Sequence, residues 1–162
     1  MCGIAGFFCI KGKVPGDTYG ILKRMSEVQV HRGPDDSGEY LSANVGFSFR
    51  RLSIIDLEHG QQPMYSPSQN TIIIFNGEIY NFKELKQELI GLGAQFQTNS
   101  DTEVILVGYE IWQENIVDRL RGMFAFAIYD TKKNQLFMAR DHTGIKPLYY
   151  SIHSQYFVFA SE

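Results

Sequence analysis

Apolar and polar positions alternate along this chain in a way that predicts many short strands and three amphipathic helices. The continuous apolar run from Ile4 to Ile10 indicates a strand that is buried on both faces. Residues 18–30 then show helical spacing, and Asp17 or Thr18 can cap this first helix. The predicted inner face of the helix comprises Ile21, Leu22, Met25 and Val28. Further strands are predicted over residues 45–49, 71–75, 124–129, 135–140, 147–152 and 156–160.

The second predicted helix has a recognisable start and end. Asn81 can cap it, and Glu84, three residues later, can reach back to the cap. Gly93 is expected to end the helix, because glycine is common just beyond a helix C-terminus. The apolar stripe between these two ends comprises Leu85, Leu89 and Leu92.

The third predicted helix begins in the same way, with Ser100 as the cap and Glu103 as the residue that reaches back. A short turn of helix is expected afterwards over residues 116–120. The inner face of the third helix is predicted to comprise Val104, Val107 and Ile111.

Strands outnumber helices in this reading, and most of the strands are expected to be antiparallel. The turns between the later strands carry Asp, Asn, Gly and Lys, which is typical of hairpins. The strand at 45–49 alternates between aromatic or branched residues and small or polar ones, which indicates a half-buried strand. Six or more strands with a few amphipathic helices predict an α+β layered fold, although periodicity does not decide how the sheets stack.

Composition and charge exclude several classes of protein. A chain of 162 residues with 44% hydrophobic residues is long enough for one domain with a real core. A net charge of -3 argues against a nucleic-acid partner, and no apolar run is long enough to cross a membrane. The run from Ile4 to Ile10 lacks a preceding basic segment, so it is not read as a signal peptide. Cys2 and Cys9 make a poor disulfide framework, and we therefore expect free thiols and a cytoplasmic location.

Cys2 is the first candidate for chemistry, because loss of Met1 would make it the N-terminal residue. It would then carry a thiol nucleophile and an α-amine together. An α-amine titrates near about 7.7 to 8.0, so part of it is neutral at pH 7 and can take the thiol proton, directly or through a water. The alternative is a cysteine that stands at position 2 by chance and leads a buried strand.

Asn76 and Gly77 follow a predicted strand, and two readings of this pair stay open. The Asn-Gly dipeptide is a strong hairpin-turn signal, and local sequence favours that reading. The pair can also form an oxyanion hole, since an Asn amide and a Gly backbone N–H can both point at one developing negative charge. Glycine in addition lets a substrate approach the backbone closely.

Charged residues elsewhere in the chain are suited to the recognition of a free amino acid. Arg51 could take an α-carboxylate with two hydrogen bonds, and Glu78 with Asp101 could take an α-ammonium group. The alternatives are an arginine that points to solvent and an aspartate that is favoured in the first turn of a helix by the helix dipole.

Two other thiol-based sites are alternatives to an N-terminal Cys2 nucleophile. A pair of Cys2 with His31 would give a hydrolase with an imidazole base, but spacing says nothing about their proximity. A zinc site built from Cys2, Cys9 and histidines lacks recognised ligand spacing, so no metal is expected in this domain.

Seven motifs in a fixed order connect these separate candidates. The motifs are Met1–Gly6, His31–Asp35, Arg51–Asp56, Phe75–Asn81, Ser100–Glu103, Gly122–Ala127 and Arg140–Tyr150. With them the chain resembles the N-terminal glutaminase domain of glutamine-hydrolysing asparagine synthetases, which are class II glutamine amidotransferases among the N-terminal-nucleophile hydrolases. The resemblance covers essentially the whole chain, residues 1–162. Amidophosphoribosyltransferase and the glucosamine-phosphate synthases share the start and the Asn-Gly element, but they usually carry a Gly-His-Thr-Arg element at the position of Arg51–Ser53.

The resemblance implies a role for each candidate. Cys2 would be the nucleophile and its freed amine the base, while Asn76 and Gly77 would form the oxyanion hole. Arg51 would hold the α-carboxylate of L-glutamine, and two carboxylates would hold its α-ammonium group. Those carboxylates are Glu78 and Asp101, and the backbone that would line the pocket is that of Leu52, Ile54 and Ile55.

The resemblance also implies a fold and a moving part. The fold would be a four-layer αββα sandwich of two antiparallel sheets flanked by helices. Residues 31–38 resemble the mobile loop that closes over glutamine. The thiolate would attack the glutamine amide, ammonia would leave, and water would hydrolyse the thioester to glutamate.

Partners and cofactors follow from the same family. Its members continue into a synthetase domain that uses ATP and magnesium to activate aspartate, and that domain is absent from this chain, which has no Ser-Gly-Gly-type pyrophosphate loop. No cofactor is expected for the glutaminase domain itself, and the synthetase domain is expected as a partner in cis or in trans. A homodimer stays open, as does another acceptor, because β-lactam-forming relatives share the architecture. The alternative function is a non-catalytic module that binds glutamine or serves a regulatory role with the same fold.

Overall fold

Two antiparallel sheets form the centre of the molecule in a computed structural model that describes residues 1–12, 16–52 and 60–162. The strands within these ranges are β1 Gly3–Cys9, β2 Asp36–Leu41, β3 Val45–Arg51, β4 Met64–Tyr65, β5 Thr71–Ile79, β6 Gly122–Asp130, β7 Gln135–Arg140, β8 Tyr149–Ile152 and β9 Tyr156–Ala160. The helices are α1 Thr18–Glu27, α2 Phe82–Gly91 and α3 Asp101–Trp112, followed by a 3₁₀ helix over Gln113–Arg119. One sheet has the order β2-β3-β1-β9-β8 and the other the order β4-β5-β6-β7.

The alternation of side chains along β5 shows how the layers are stacked. Ile72 and Ile74 belong to the apolar cluster between the two sheets, where they meet Phe47 and other residues of the first sheet. Ile73 and Phe75 point the opposite way, into a second cluster with the helices α2 and α3. Helix α1 contacts β1 and β3 on the outer face of the first sheet. The order of layers is therefore helix, sheet, sheet, helix, which confirms the expected α+β sandwich.

Burial of β3 differs from the expectation for a half-buried strand. Gly46 and Ser48 are buried as well as the larger residues between them, because α1 covers one face and the second sheet covers the other. Strand β5 also continues four residues beyond the predicted end at Phe75. The strands β2 and β4 were not predicted from the sequence. As a consequence, residues 36–38 of the expected loop 31–38 belong to a strand that pairs with β3.

The structure confirms two of the expected helix caps, Asp17 and Ser100, but not the third, Asn81. Asp17 caps α1 by accepting from the Gly20 N–H at 2.9 Å, and Ser100 caps α3 by accepting from the Glu103 N–H at 3.2 Å. Asn81 makes no capping bond, because its side chain is hydrogen-bonded to the backbone of Arg119 and Arg121.

The expected partners of those caps also differ. The Glu103 carboxylate accepts from the N–H groups of Gln97 and Thr98, both at 2.7 Å, rather than from that of Ser100. Three residues expected on inner faces are exposed, since each lies at or beyond the last turn that the sheet covers. They are Val28, Leu92 and Ile111.

Candidate functional site

The predicted site residues meet in one cavity at one end of the sandwich. The N-terminus leads into β1, and the end of β3 lies beside it because Gly3 pairs with Arg50. The end of β5 and the start of α3 close the other side. The cavity has a volume of about 110 Å³. Its lining includes Cys2, Arg51, Leu52, Asn76, Gly77, Glu78 and Asp101, whereas Ile54 and Ile55 lie outside the described residues.

Cys2 is held at the cavity by contacts on both its side chain and its backbone. The Leu52 N–H donates to the Cys2 sulfur at 3.4 Å, and Nε of Arg32 donates to the Cys2 carbonyl at 3.2 Å. Gly3 follows, and a Cβ there would lie 2.5 Å from Oε1 of Gln29. The N-terminal segment therefore packs closely against Gln29, just beyond the end of α1, and a larger residue at position 3 would require the Gln29 side chain to move.

Asn76 places a free hydrogen-bond donor inside this cavity. It continues the row of Ile72 and Ile74 on the face between the sheets, so a polar amide follows two apolar side chains. The side chain is 1% exposed, and its Nδ2 has no hydrogen-bond acceptor among the described residues. A buried donor without a partner costs about 1–3 kcal/mol, so the Asn76 amide is available to donate to a group that enters the cavity.

The backbone N–H of Gly77 points to the same side from the open edge of β5. Strand β4 pairs only with Ile72 and Ile73, and beyond them side chains replace the strand. Oε1 of Gln62 accepts from the Phe75 N–H at 2.6 Å, and Oδ2 of Asp101 accepts from the Ile79 N–H at 3.0 Å. Alternate residues of a strand point their N–H groups to the same edge, so the Gly77 N–H lies between these two and faces the cavity.

The turn reading of Asn76 and Gly77 is wrong, because both residues lie within β5 and pair with β6. A Cβ on Gly77 would lie 2.3 Å from the Met123 carbonyl oxygen and 2.7 Å from Cα of Phe124. The glycine is therefore required by the close approach of β6 rather than by a turn.

Charges of both signs line the cavity. Arg51 is buried at the end of β3, and Asp101 is buried in the first turn of α3. Burial raises the pKa of the Asp101 carboxyl; hydrogen bonds from backbone N–H groups, including that of Ile79, oppose this rise, and the nearby Glu78 adds to it. A bound cation would offset the effect of the Glu78 charge on the ionised Asp101 carboxylate.

Gln62 and Lys146 are among the cavity residues that were not predicted from the sequence as site residues. Gln62 lines it, accepts from the Phe75 N–H, and donates to Oγ1 of Thr102 at 3.4 Å. Lys146 lines it as well, and its Nζ donates to Sδ of Met1 at 3.4 Å. Gln62 carries no local signal at all, and Lys146 stands in a segment that is otherwise typical of a turn before a strand.

The structure does not bring Cys2 and His31 together at the cavity. The His31 side chain is 64% exposed, its Nε2 lies 2.9 Å from a carboxylate oxygen of Glu162, and it does not line the cavity. Within the described ranges, no group of three or more His, Cys, Asp or Glu residues could hold a metal ion. Cys2 and Cys9 are both free thiols. None of the helices in the described part of the chain has the length and apolarity needed to span a bilayer.

Comparison with known proteins shows the family of the chain. A family model described as a glutamine amidotransferase domain matches residues 1–162. Glutamine-hydrolyzing asparagine synthetase 1 of Bacillus subtilis (strain 168) is 48% identical over 166 residues, which cover 100% of this chain and 26% of that protein. Glutamine-hydrolyzing asparagine synthetase B of Escherichia coli (strain K12) is 45% identical over 167 residues, covering 100% of this chain and 29% of that protein.

Solved structures show the same fold. Glutamine phosphoribosylpyrophosphate amidotransferase from B. subtilis, complexed with ADP and GMP, matches 99% of this chain and 42% of its own, with a TM-score of 0.73 and 24% identity. A structure described as the allosteric regulatory enzyme of purine biosynthesis matches 99% of this chain and 42% of its own, with a TM-score of 0.78 and 22% identity.

The fold and the cavity together define an amidotransferase domain with a cysteine at its N-terminal end, and the chain belongs to the glutamine amidotransferase domain family. Within that family its sequence is similar to the glutamine-hydrolysing asparagine synthetases, as the seven motifs indicated. The chain spans only about a quarter of the length of these curated relatives.

Proposed function

We propose that this domain hydrolyses L-glutamine to glutamate and ammonia through a thioester on Cys2. The observation that carries the proposal is the buried Nδ2 of Asn76, which has no acceptor among the described residues and belongs to a side chain that lines the same cavity as Cys2. An amide donor and the neighbouring Gly77 N–H, placed beside a nucleophile, are the parts that acyl transfer needs. Membership of the glutamine amidotransferase family supports glutamine as the amide.

In the first half of the reaction, the α-amine of Cys2, freed by loss of Met1, takes the thiol proton. The sulfur then attacks the side-chain amide carbon of glutamine. The carbonyl oxygen becomes negative and receives hydrogen bonds from Asn76 and Gly77. The C–N bond breaks, and the amine returns its proton to the leaving nitrogen, so that ammonia departs and a thioester remains.

In the second half, water replaces ammonia as the reactant. The same α-amine takes a proton from the water, the oxygen attacks the thioester carbon, and the oxyanion forms again at Asn76 and Gly77. The C–S bond breaks, glutamate leaves, and the proton restores the thiol. Ammonia must leave before water enters, and residues 31–35, which precede β2, are the part of the expected loop that could close the cavity.

Recognition of the amino-acid end uses the opposite charges of the cavity. Arg51 would bind the α-carboxylate, because a guanidinium matches a carboxylate with two parallel hydrogen bonds. Glu78 and Asp101 would bind the α-ammonium group, which removes the mutual repulsion that contributes to the raised pKa of Asp101. The backbone of Leu52, and by family analogy that of Ile54 and Ile55, would border the side chain of glutamine.

We further propose that the ammonia serves asparagine synthesis from aspartate in a larger protein, with ATP and magnesium acting in a synthetase domain outside this chain. The similarity to glutamine-hydrolysing asparagine synthetases over about a quarter of their length supports this acceptor. A cytoplasmic location would fit that chemistry, and the two free thiols are compatible with it.

The experiment is glutamate release from L-glutamine by the purified chain, with the N-terminal mass determined on the same sample. Cys2→Ala is expected to abolish release, while Cys9→Ala, the matched control at the other free cysteine, retains it. Full activity of Cys2→Ala would remove Cys2 from the mechanism. Glutamine binding without release, in a sample that lacks Met1, would favour the non-catalytic binding module instead.

A further inference from the structure

The ammonium group of Lys146 lies in the Cys2 cavity without an anionic partner among the described residues. Lys146 is 7% exposed, and no carboxylate within residues 1–12, 16–52 and 60–162 forms an ion pair with it. The Sδ atom of Met1 is the acceptor for its Nζ. A buried charge is normally paired, so the Lys146 ammonium is available to interact with another charge in the cavity.

The backbone of Lys146 is held firmly in this position. The carboxylate of Asp141 accepts from the N–H groups of Ile145 at 2.9 Å and Lys146 at 3.0 Å. The same carboxylate accepts from the Phe124 N–H at 3.1 Å. Phe124 lies in β6 opposite Gly77, so the turn that carries the ammonium is tied to the strands that form the site.

Loss of Met1 changes what this ammonium faces. The side chain of Met1 connects the backbone at Cys2 to Nζ of Lys146. After Met1 is removed, the sulfur that accepted from Nζ is gone and a new α-amine is exposed on Cys2. Cys2, which would then carry this α-amine, and Lys146 line the same cavity, so a positive charge on one nitrogen disfavours a positive charge on the other.

We propose that Lys146 is a positioning residue whose ammonium keeps the α-amine of mature Cys2 in its neutral, proton-accepting form. The inference rests on the proposed function, in which that amine is the general base. A base must be neutral before it can take a proton, and near neutral pH an ordinary α-amine is largely protonated. Lys146 therefore extends the activity of the domain to lower pH.

Other charges near the amine are balanced by different partners. The Arg32 guanidinium contacts the Cys2 carbonyl, but it is also paired with Glu162 at 3.4 Å. Arg51 and the carboxylate residues Glu78 and Asp101 also line the cavity. In the proposed complex, Arg51 binds the α-carboxylate of glutamine, and Glu78 and Asp101 bind its α-ammonium group. Lys146 is then the cation without a counter-charge among the described residues of the cavity.

The direct test measures protonation of the amine rather than catalysis. The parent chain, Lys146→Met and Lys146→Arg are labelled with ¹³C-cysteine, checked by mass for loss of Met1, and capped on the thiol with a methylthio group. The ¹³Cα resonance of Cys2 then reports the titration of the amine, and the buried Cys9 serves as the reference. Lys132→Met, at an exposed turn between β6 and β7, is the matched control for loss of one positive charge.

We expect the titration midpoint of Lys146→Met to rise by roughly one pH unit, the size of effect that a neighbouring charge has in a partly solvated site. Lys146→Arg and Lys132→Met should keep the midpoint of the parent chain. An unchanged midpoint in Lys146→Met overturns the inference. If that variant does not fold, Lys146→Gln provides the same comparison.

Kinetics separate this inference from the proposed function. The acidic limb of the pH profile of kcat/KM for glutamate release should move upward by the same amount in Lys146→Met. Glutamate release with an unmoved acidic limb overturns the role of Lys146 and leaves the glutaminase proposal intact. A shifted amine titration without glutamate release from any variant overturns the glutaminase proposal and leaves the effect of Lys146 on the amine established.

Discussion

Oδ2 of Asp101 accepts a hydrogen bond from the Ile79 N–H at 3.0 Å, and this contact joins the start of α3 to the strand that carries Asn76 and Gly77. The same carboxylate supplies negative charge to the cavity. Burial raises the pKa of Asp101 above its usual value of 3.8, backbone hydrogen bonds oppose the rise, and Glu78 adds to it. The ionised form is therefore less favourable in the folded protein than in the unfolded chain.

Asp101→Asn should weaken glutamine binding without lowering the free energy of unfolding. The amide oxygen can still accept from the Ile79 N–H, but the negative charge is lost. We expect KM for glutamine to rise about 10-fold or more, since a hydrogen bond between charged groups contributes about 1.5–3 kcal/mol, while kcat changes much less. Steady-state kinetics of glutamate release measure both constants. An unchanged KM would contradict the assignment of Asp101 to the α-ammonium group.

Asp101→Asn should also be at least as stable as the parent chain at neutral pH. Because the folded-state pKa is raised, the folded protein binds a proton at Asp101 more readily than the unfolded chain does, and this residue disfavours folding once it ionises. The free energy of unfolding of Asp101→Asn should therefore equal or exceed that of the parent chain at pH 7. The advantage should shrink as the pH falls through the raised pKa. Urea unfolding at a series of pH values checks the sign.

Asn76→Ala should affect the rate far more than the fold. The Nδ2 group has no acceptor among the described residues, so its removal breaks no described hydrogen bond of that atom. Loss of one oxyanion donor typically lowers kcat about 10²–10³-fold with a small change in KM. Asn115→Ala, at an exposed position of the 3₁₀ helix, is the control and should leave kcat unchanged. A loss of kcat below about threefold in Asn76→Ala would remove the oxyanion role.

Gly77→Ala should damage both fold and activity. Its Cβ would meet backbone atoms of β6 at 2.3 and 2.7 Å, and backbone cannot move aside without shifting the strand. Overpacking of this kind typically lowers the free energy of unfolding by about 1–3 kcal/mol. Gly91→Ala is the matched control, since nothing lies within 4 Å of a Cβ there and alanine favours the helix. Chemical denaturation that ranks the two variants equally would contradict the close approach of β6.

Asp141→Asn tests the turn that carries Lys146. Burial alone would raise the pKa of Asp141, but hydrogen bonds from the N–H groups of Lys146 and Ile145, from the Thr143 side chain and from the Phe124 N–H lower it from 3.8 to about 2. An acid whose pKa is lowered by folding stabilises the folded protein at pH values above the pKa that the acid has in the unfolded chain. This contribution disappears as the pH falls through the folded-state pKa of about 2.

We therefore expect Asp141→Asn to lower the free energy of unfolding by about 2 kcal/mol at pH 7. The difference from the parent chain should narrow between pH 4 and pH 2. Asp118→Asn, at an exposed position, should show no such dependence. A gap between Asp141→Asn and the parent chain that stays constant over this range would show that the ionised carboxylate is not what stabilises the turn.

Local sequence identified elements better than it identified contacts. Ser100 was found as a helix cap because capping depends only on the next three residues. Asn81 has the same local signal, but residues 119 and 121, almost forty positions later, take its side chain. Periodicity could not give this result, since tertiary contacts decide which hydrogen bond a polar side chain makes.

The candidate site shows the same division. Cys2, Arg51 and Asp101 were assigned through ordered motifs, and the structure brings them to one cavity. Gln62 was missed because its contact with Phe75 depends on β4 beginning only at Met64, which no pattern in the sequence indicates. The Asn-Gly pair was misread locally, since the turn signal reports only backbone freedom, whereas the close approach of β6 is what requires glycine at position 77.

The open edge of β5 has a consequence for how the protein avoids wrong association. An unpaired strand edge is a template on which another chain can add as a further strand. Here Gln62 and Asp101 occupy the outward N–H groups of Phe75 and Ile79, so an incoming strand would find a single outward donor between them, at Gly77. Self-assembly needs several consecutive backbone donors, but a small oxyanion needs only one. The same pair of side chains thus blocks aggregation at this edge while leaving it open to a substrate.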